Sequence, residues 1–259
     1  MSVVLTERIN RSLVITINRP EARNALTMDV LSAITDALAK AANEPHVRCI
    51  VLTGAGGHFC SGADLRAQIM SDPEVLNKLD TYMTTYHGVI RAIVKSPKVI
   101  IAAMDGCAVG FGADLALACD LRVAGEAAYV QEKFVQLGLM PDGGGSFWLP
   151  RLVGTARALR MILLAEKVTA RELLELDVVH SVVPSGDLMK DSMILAAHIE
   201  AGPPLAFAAI RRSIYASWGD IDAALDRERT EQIKLLKSAD VMEGVMAWAQ
   251  KRSPVFNGE

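Results

Sequence analysis

The sequence predicts an α/β protein whose strands are mostly parallel. Runs rich in β-branched residues alternate with segments of helical periodicity through the first part of the chain. Because a strand, a helix and a second strand in succession favour parallel pairing, this order indicates a sheet covered by helices. Small residues dominate, with 36 Ala and 19 Gly among 259 residues, of which 51% are hydrophobic and 5% aromatic. A chain of this length buries a substantial core without disulfides or metals.

The elements of the first part follow one another in a regular order. We predict a strand over Leu13 to Ile17, a helix over Met28 to Ala42, a strand over Val47 to Thr53, an amphipathic stretch over Pro73 to Val94, and strands over Val99 to Ala103 and Leu121 to Val123. Thr27 is expected to cap the first helix. Asn24 is expected in the turn after Pro20, whose fixed φ closes the preceding strand.

The chain changes character after about Pro184. Four helices are predicted there, over Leu188 to Glu200, Leu205 to Trp218, Ile221 to Lys237 and Val241 to Lys251. Pro203 and Pro204 mark one break. Residues 218–220 mark another, where Asp220 is placed to cap the helix predicted from Ile221. We therefore predict a core over residues 1–185 and a helical region over residues 186–259.

Composition and motifs argue against several kinds of protein. With 27 basic and 30 acidic residues the net charge is -3, so no global field would attract nucleic acid. The four cysteines lack CxxC spacing and the five histidines form no HExxH pair, so no metal site is predicted. Charges interrupt every apolar run before the roughly 18 residues that a membrane span needs. We expect a cytoplasmic protein without a membrane or nucleic-acid partner.

Three glycine-bearing segments, residues 53–64, 108–114 and 141–145, follow strand-like runs. Tight turns would explain each of them singly. None has GxGxxG at the head of a first βαβ unit or GxxxxGK[ST], so nucleotide-binding loops are disfavoured. Backbone amides freed by glycine can instead converge on a carbonyl oxygen and stabilise an oxyanion, each donor contributing about 3 kcal/mol in a dry site.

The second segment is well suited to this chemistry. Gly110 and Gly112 flank Phe111, so the Phe111 amide can turn outward at a helix start, where the potential is positive. Asp114 follows about one helical turn later and brings a carboxylate to the same face. A proton acceptor beside an oxyanion hole is the equipment for enolate chemistry.

Four ordered motifs resemble those of the crotonase (enoyl-CoA hydratase/isomerase) superfamily. They occupy residues 18–26, 59–65, 105–120 and 138–144, and residues 243–244 and 251–256 are similar to the family's last helix and tail. The resemblance implies a spiral of ββα units with a helical C-terminal region that assembles a homotrimer or a dimer of trimers. It also implies an acyl-CoA substrate, with coenzyme A as part of the substrate and no separate cofactor.

The resemblance also implies roles for individual residues. The amides of Ala63 and Phe111 would hold the thioester carbonyl, and Asp114 and Asp142 are the candidate catalytic carboxylates. Substrate contacts are expected from Arg23, Ser61, Gly62, Asp64, Leu65, Gly110, Gly112 and Lys251, with Arg252 as an alternative cation and Ile69, Met70 and Met83 as a wall of the acyl pocket. Each role also has a simpler explanation. Asp142 would be explained as a turn residue, and Asp114 as a carboxylate whose oxygens accept from backbone amides. The cations would be solvated surface residues, and the three residues of the pocket wall would be ordinary core.

The carboxylates decide which reaction is expected. Hydratases of the family resemble one another in having glutamates at the positions of Asp114 and Phe134, and a phenylalanine cannot hold or deprotonate water. Glu132 could substitute only if the loop runs differently. Asp142 is similar to the aspartate of the family's Pro-Asp-x-Gly-Gly isomerases, which need one mobile proton.

We therefore predict an enoyl-CoA isomerase. The alternatives are a 2-enoyl-CoA hydratase, a CoA-thioester-binding member with little catalysis, and a thioester hydrolase or decarboxylase that uses the same oxyanion hole.

Overall fold

The computed structural model describes residues 2–65, 78–217 and 219–256. The strands are β1 (Val4–Ile9), β2 (Ser12–Ile17), β3 (Cys49–Gly54), β4 (Val99–Met104), β5 (Cys107–Val109), β6 (Leu121–Gly125), β7 (Tyr129–Gln131), β8 (Val168–Thr169) and β9 (Ser181–Val183). The helices are α1 (Met28–Asn43), α2 (Leu79–Lys95), α3 (Phe111–Leu117), α4 (Gly145–Val153), α5 (Thr155–Leu163), α6 (Ala170–Glu175), α7 (Leu188–Ala201), α8 (Pro204–Ser217), α9 (Ile221–Leu235) and α10 (Ala239–Gln250).

Six strands form the main sheet, in the order β1-β2-β3-β4-β6-β9. All neighbouring pairs are parallel except β1 and β2. The central strands β3 and β4 are buried along nearly their whole length, as expected for strands covered on both faces. The predicted parallel sheet is confirmed, and β1 adds an antiparallel edge that the sequence did not indicate, because only Val4 of that strand is buried.

A second sheet of three short strands, β5-β7-β8, places the site. β5 and β7 run parallel, with Val109 opposite Gln131. The chain leaves β5 through Gly110 into α3, and it leaves β7 at Glu132. Because parallel strands end at the same edge of a sheet, the start of α3 and Glu132 come together there.

Helices cover both faces of the main sheet. Thr27 caps α1 as predicted, since its hydroxyl accepts a hydrogen bond from Val30 N at 3.4 Å. The apolar faces of α1 and α2 enter the larger core cluster, where Ile34 and Ile90 are fully buried. On the opposite face, α7 packs against β3, β4 and β6 and completes a smaller cluster.

The last helices are tied to the core by polar contacts. Arg211 on α8 pairs with Asp120 at 2.8 Å, and both side chains are largely buried. Asp220 caps α9 as predicted, because its carboxylate accepts from Asp222 N at 2.9 Å. α9 contacts both α2 and α4. This position brings α9 beside the loop that precedes α4.

The predicted helices of the C-terminal part are confirmed as α7 to α10, with ends that differ by a few residues, and a break falls before Pro204 as expected. The amphipathic stretch predicted from Pro73 forms α2 from Leu79 onward, and residues 73–77 lie outside the described residues. The division of the chain at residue 185 stays a prediction.

No single helix in the described ranges is long and apolar enough to cross a membrane. One pair, residues 185–201 and 204–216, has sufficient length and apolar composition only when taken together, and it is bent by 105°. Among the residues that the structure describes, no group of three or more His, Cys, Asp or Glu side chains could hold a metal ion. The four cysteines are free and buried.

Candidate active site

Two glycine loops meet edge to edge at the candidate site. Cys60 N donates to the Cys107 carbonyl at 2.8 Å, which aligns the segment after β3 with β5. A Cβ atom on Gly62 would lie only 2.8 Å from Val109 O and 3.7 Å from Phe111 N. Gly62 also has a φ of 93°. Close approach and backbone conformation therefore both require glycine here.

The amides of Ala63 and Phe111 are available to a ligand. Leu26 pairs with Ala63 in a short parallel bridge, in which Leu26 N donates to Gly62 O at 2.8 Å and Asp64 N donates to Leu26 O at 3.0 Å. Because the two hydrogen bonds are made by the residues on either side of Ala63, the Ala63 N–H faces away from Leu26. Phe111 begins α3, where the first N–H groups have no acceptor within the helix. Within the described ranges, neither amide donates a hydrogen bond.

Three of the residues expected to contact substrate also support the loop that carries Ala63. Ser61 N donates to Arg23 O at 3.0 Å, and Ser61 Oγ donates to Ala22 O at 3.2 Å. Asp64 forms an ion pair with Arg19 at 2.9 Å. These contacts fix the segment that carries Ala63. Binding of substrate by Arg23, Ser61 and Asp64 stays a prediction.

The other expected contact residues are distributed as follows. Gly112 packs on Cys60, whose carbonyl oxygen would lie 2.5 Å from a Cβ at position 112. Leu65 is partly buried and is the last described residue before position 78, and Met83 is buried on α2. Ile69 and Met70, expected in the acyl-pocket wall, lie outside the described residues.

The two cations of the tail stand at the end of α10. Lys251 is exposed and has a φ of 55° at the helix C-cap. Arg252 forms a bidentate pair with Glu243, at 2.6 and 2.8 Å. In the described part of the chain neither side chain forms a hydrogen bond or ion pair with the glycine loops, and a role in binding coenzyme A stays a prediction.

Asp114 lies one turn into α3 and is fully buried. Its Oδ2 accepts a hydrogen bond from Gly143 N at 2.9 Å, while Oδ1 has no partner among the described residues. Burial, followed by the charge of Glu132, raises the pKa of Asp114 well above its ordinary value. A Cβ atom on Gly143 would lie 2.7 Å from both Asp114 Cβ and the Phe111 ring. The side chains of Asp114 and Phe111 are therefore close together, as their spacing along α3 predicts.

Asp142 is held by two neighbouring helices. Its Oδ2 accepts from Gln232 Nε2 at 2.8 Å, and Oδ1 has no partner within the described ranges. Burial raises the pKa of Asp142 to about 7, and the bond from Gln232 opposes this shift. His87 on α2 bonds to the Asp142 carbonyl at 2.9 Å. Burial lowers the pKa of His87 to about 4, so the ring is neutral at pH 7 and Nε2 carries the proton that it donates.

Two α9 residues that the sequence analysis missed hold the loop around Asp142. Glu228 Oε2 accepts from Gly144 N at 2.7 Å, and Oε1 accepts from Ser146 N at 3.1 Å, which together satisfy the start of α4. One turn later, Gln232 Oε1 accepts from Met140 N at 3.1 Å. Their spacing of four residues is the only sequence signal, and it also fits an ordinary solvated helix face.

Glu132 lies close to Asp114, since a Cβ at position 145 would approach oxygens of both side chains; whether Glu132 substitutes for a carboxylate at position 134 stays a prediction. The residue is 1% exposed, and neither of its carboxylate oxygens has a partner in the described part of the chain. Burial, and then the charge of Glu228, raises the pKa of Glu132 well above its ordinary value. Glu132 is therefore a further buried carboxyl group beside Asp114, Asp142 and Glu228.

Phe134 presents an apolar surface to the backbone of Gly110, next to Phe111. Its ring carbons lie 3.8 and 3.9 Å from the position of a Cβ on Gly110. Gly110 itself has a φ of 54° and donates to Gln131 O at 2.9 Å. The Phe134 ring therefore lies beside the Gly110 backbone at the position where the resemblance implies a glutamate in hydratases.

Free backbone amides next to buried carboxyl groups define an enzyme site that can stabilise charge on a carbonyl oxygen and move a proton nearby. The family model for enoyl-CoA hydratase/isomerase matches residues 8–259. The chain therefore belongs to the enoyl-CoA hydratase/isomerase family, in the crotonase superfamily, and its fold is the α/β crotonase fold with a helical C-terminal region.

Relatives carry more than one activity in their names. A probable enoyl-CoA hydratase of Rhodobacter capsulatus is 42% identical over 95% of this chain and 94% of its own length. The 1,2-epoxyphenylacetyl-CoA isomerase of Escherichia coli is 33% identical over the full length of both chains. The crystal structure of carnitinyl-CoA hydratase from Mycobacterium avium superposes with a TM-score of 0.90 at 34% identity, covering all of both chains. The protein is accordingly an enzyme of acyl-CoA chemistry.

Proposed function

We propose that this enzyme isomerises the double bond of an enoyl-CoA thioester. The amides of Ala63 and Phe111 receive the thioester oxygen, and the enolate formed there is stabilised by two hydrogen bonds. Asp142 removes a proton from the α-carbon. Coenzyme A enters as part of the substrate, and the proposed steps use no further cofactor.

The state of the Asp142 carboxylate carries this proposal. Gln232 holds one oxygen, which leaves Oδ1 buried without a partner within the described ranges. A pKa of about 7 suits a group that must take up a proton and release it again in each turnover at neutral pH. An aspartate used only to shape a turn would not need an unpaired buried oxygen.

Phe134 supports proton transfer over addition of water. The apolar ring of Phe134, which lies against Gly110, offers no hydrogen bond to a water molecule near the Phe111 amide. Removal of a proton from one carbon and addition of a proton to another need no such water. The 1,2-epoxyphenylacetyl-CoA isomerase among the relatives supports an isomerase role.

A 2-enoyl-CoA hydratase is the second candidate, and Glu132 favours it. Two carboxyl groups, Asp114 and Glu132, could divide between them the tasks of activating water and supplying a proton. The name of the Rhodobacter capsulatus relative supports the same role.

Separate incubations with 3-enoyl-CoA and 2-enoyl-CoA test the two candidates. We expect conversion of the 3-enoyl substrate to the 2-enoyl product, and a loss of roughly 10²- to 10⁴-fold in kcat for Asp142→Asn. Phe134→Glu, which restores a carboxylate, is expected to increase 3-hydroxyacyl-CoA formation. Rapid formation of 3-hydroxyacyl-CoA by the unaltered enzyme, retained in Asp142→Ala, would contradict the isomerase proposal.

Assembly and location are further parts of the proposal. We propose a homotrimer or a dimer of trimers in which Lys251 reaches the coenzyme A bound to a neighbouring subunit, since its side chain is exposed and, within the described ranges, forms no hydrogen bond or ion pair with the glycine loops of its own subunit. Four free buried thiols fit the reducing cytoplasm. Light scattering coupled to gel filtration would give the mass, and a monomer with full CoA affinity would contradict the role of Lys251.

A further inference from the structure

Glu132 is a buried acid that the proposed isomerisation does not yet use. It directly follows β7, whose parallel partner β5 leads into α3, so the topology places Glu132 at the start of that helix. Both carboxylate oxygens lack a partner among the described residues, and the side chain is 1% exposed. A buried acid with two unpaired oxygens is costly to maintain unless it shares a proton with a neighbour.

Asp114 is that neighbour. A Cβ atom at position 145 would lie 2.5 Å from Asp114 Oδ1 and 3.3 Å from Glu132 Oε1, so both oxygens border the space left by the missing side chain of Gly145. Asp114 Oδ1 is also the oxygen that lacks a partner, because Oδ2 accepts from Gly143 N. The two free carboxylate edges therefore border the same space.

Within the described ranges, the charge of this pair is not compensated by a cation. In the described part of the chain, no Lys or Arg forms an ion pair with Asp114 or Glu132. The other ionisable groups that act on Glu132 are Glu228 on α9 and Asp142, which are also acidic. Two like charges in a dry site cannot both ionise readily, so the pair favours a state with one proton.

We propose that Asp114 and Glu132 hold one proton between them and that Asp114 delivers it to the γ-carbon of the substrate while Asp142 takes a proton from the α-carbon. This inference rests on the proposed isomerisation. Glu132 acts through Asp114 and is a positioning residue, because it keeps a proton available on its neighbour.

The step balances without any further reactant. The C–H bond at the α-carbon breaks and its proton moves to Asp142, while the electron pair passes through the enolate and forms the new double bond. The π bond between the β- and γ-carbons breaks, and its electron pair forms a C–H bond at the γ-carbon with the proton of Asp114, whose O–H electrons stay on the carboxylate. Asp142 has gained one proton and the pair has lost one, and a proton returning from Asp142 to the pair through solvent resets the site.

Isotope transfer distinguishes this scheme from one in which Asp142 carries the same proton both ways. The substrate is 3-enoyl-CoA with deuterium on the α-carbon, used in ordinary water under single-turnover conditions. Mass spectrometry and NMR then report the hydrogen that arrives at the γ-carbon. A single carrier transfers deuterium within the molecule, whereas the pair supplies ordinary hydrogen.

We expect the unaltered enzyme to place ordinary hydrogen at the γ-carbon. Glu132→Gln keeps the shape but cannot share a proton, so we expect kcat to fall by about 10- to 100-fold and the remaining product to retain more deuterium. Glu126→Gln is the matched control, since Glu126 is an exposed carboxylate, and it should behave like the unaltered enzyme.

Two results would overturn the inference and leave the isomerase proposal intact. One is full retention of deuterium by the unaltered enzyme; the other is equal incorporation of ordinary hydrogen with and without Glu132. Absence of any 2-enoyl product from the unaltered enzyme would instead overturn the proposed function together with this inference. If circular dichroism shows that Glu132→Gln does not fold, Asp114→Asn makes the same comparison and is expected to raise deuterium retention likewise.

Discussion

The buried carboxylate of Asp142 should cost the folded protein stability at neutral and alkaline pH. Burial raises its pKa from 3.8 to about 7. The unfolded chain loses this proton near pH 4, whereas the folded protein keeps it to about pH 7. Unfolding therefore releases a proton between these values, and the contribution of Asp142 to stability falls as the pH rises from about 4 to about 7.

The size of the effect follows from the shift. Each unit of pKa corresponds to 1.36 kcal/mol, so the ionised carboxylate should lower the free energy of unfolding by about 4 kcal/mol at pH 8. Asp142→Asn has nearly the same shape, stays neutral at every pH, and can still accept the bond from Gln232. We expect this variant to be more stable than the unaltered protein by up to about 4 kcal/mol at pH 8, and nearly equal to it at about pH 4.

Urea unfolding at several pH values, at one fixed protein concentration, measures the difference. Asp36→Asn serves as the control, because Asp36 is an exposed carboxylate on α1 and its replacement should change the free energy of unfolding by less than about 0.5 kcal/mol. A difference between Asp142→Asn and the unaltered protein that does not change with pH would refute the reasoning. The same variant should lose isomerase activity, so gain of stability and loss of function would appear together.

Two further substitutions test the supports of the site. Gln232→Leu removes the donor that lowers the pKa of Asp142, so the rising limb of kcat/KM against pH should move to higher pH, and an unchanged profile would show that Gln232 does not act on the base. Gly62→Ala introduces a Cβ 2.8 Å from Val109 O at a φ of 93°. Calorimetry should show that the free energy of unfolding falls by about 1–3 kcal/mol, and activity should be lost. Gly186→Ala, which has open space around it, is the control and should be neutral.

Local signals were sufficient for the long elements and for part of the site. Thr27 before α1 and Asp220 before α9 are capping residues in the structure as predicted. The spacing from Phe111 to Asp114 indicated the amide and the carboxyl group because one helical turn is a local geometry. β7 and β8 escaped prediction because they have three and two residues, too few to show a period of two.

The rest of the site depends on contacts between distant segments. Glu132 follows β7, so its approach to Asp114 could be inferred only once the parallel pairing of β5 and β7 was known. The bond from Gln232 to Asp142 spans 90 positions in the chain. Such a contact arises from the packing of α9 beside α4 and leaves no local pattern beyond an amphipathic helix.

The placement of α9 bears on what the C-terminal helices do. Glu228 binds the loop just after Asp142, at Gly144, and Gln232 binds it just before, at Met140, so the loop is held on both sides of the base. Gln232 also fixes one carboxylate oxygen, which determines where the free oxygen points. A helix that served assembly alone would need neither contact. The C-terminal region therefore orients the proposed base, and changes in α9 should alter kcat even where the oligomer is unchanged.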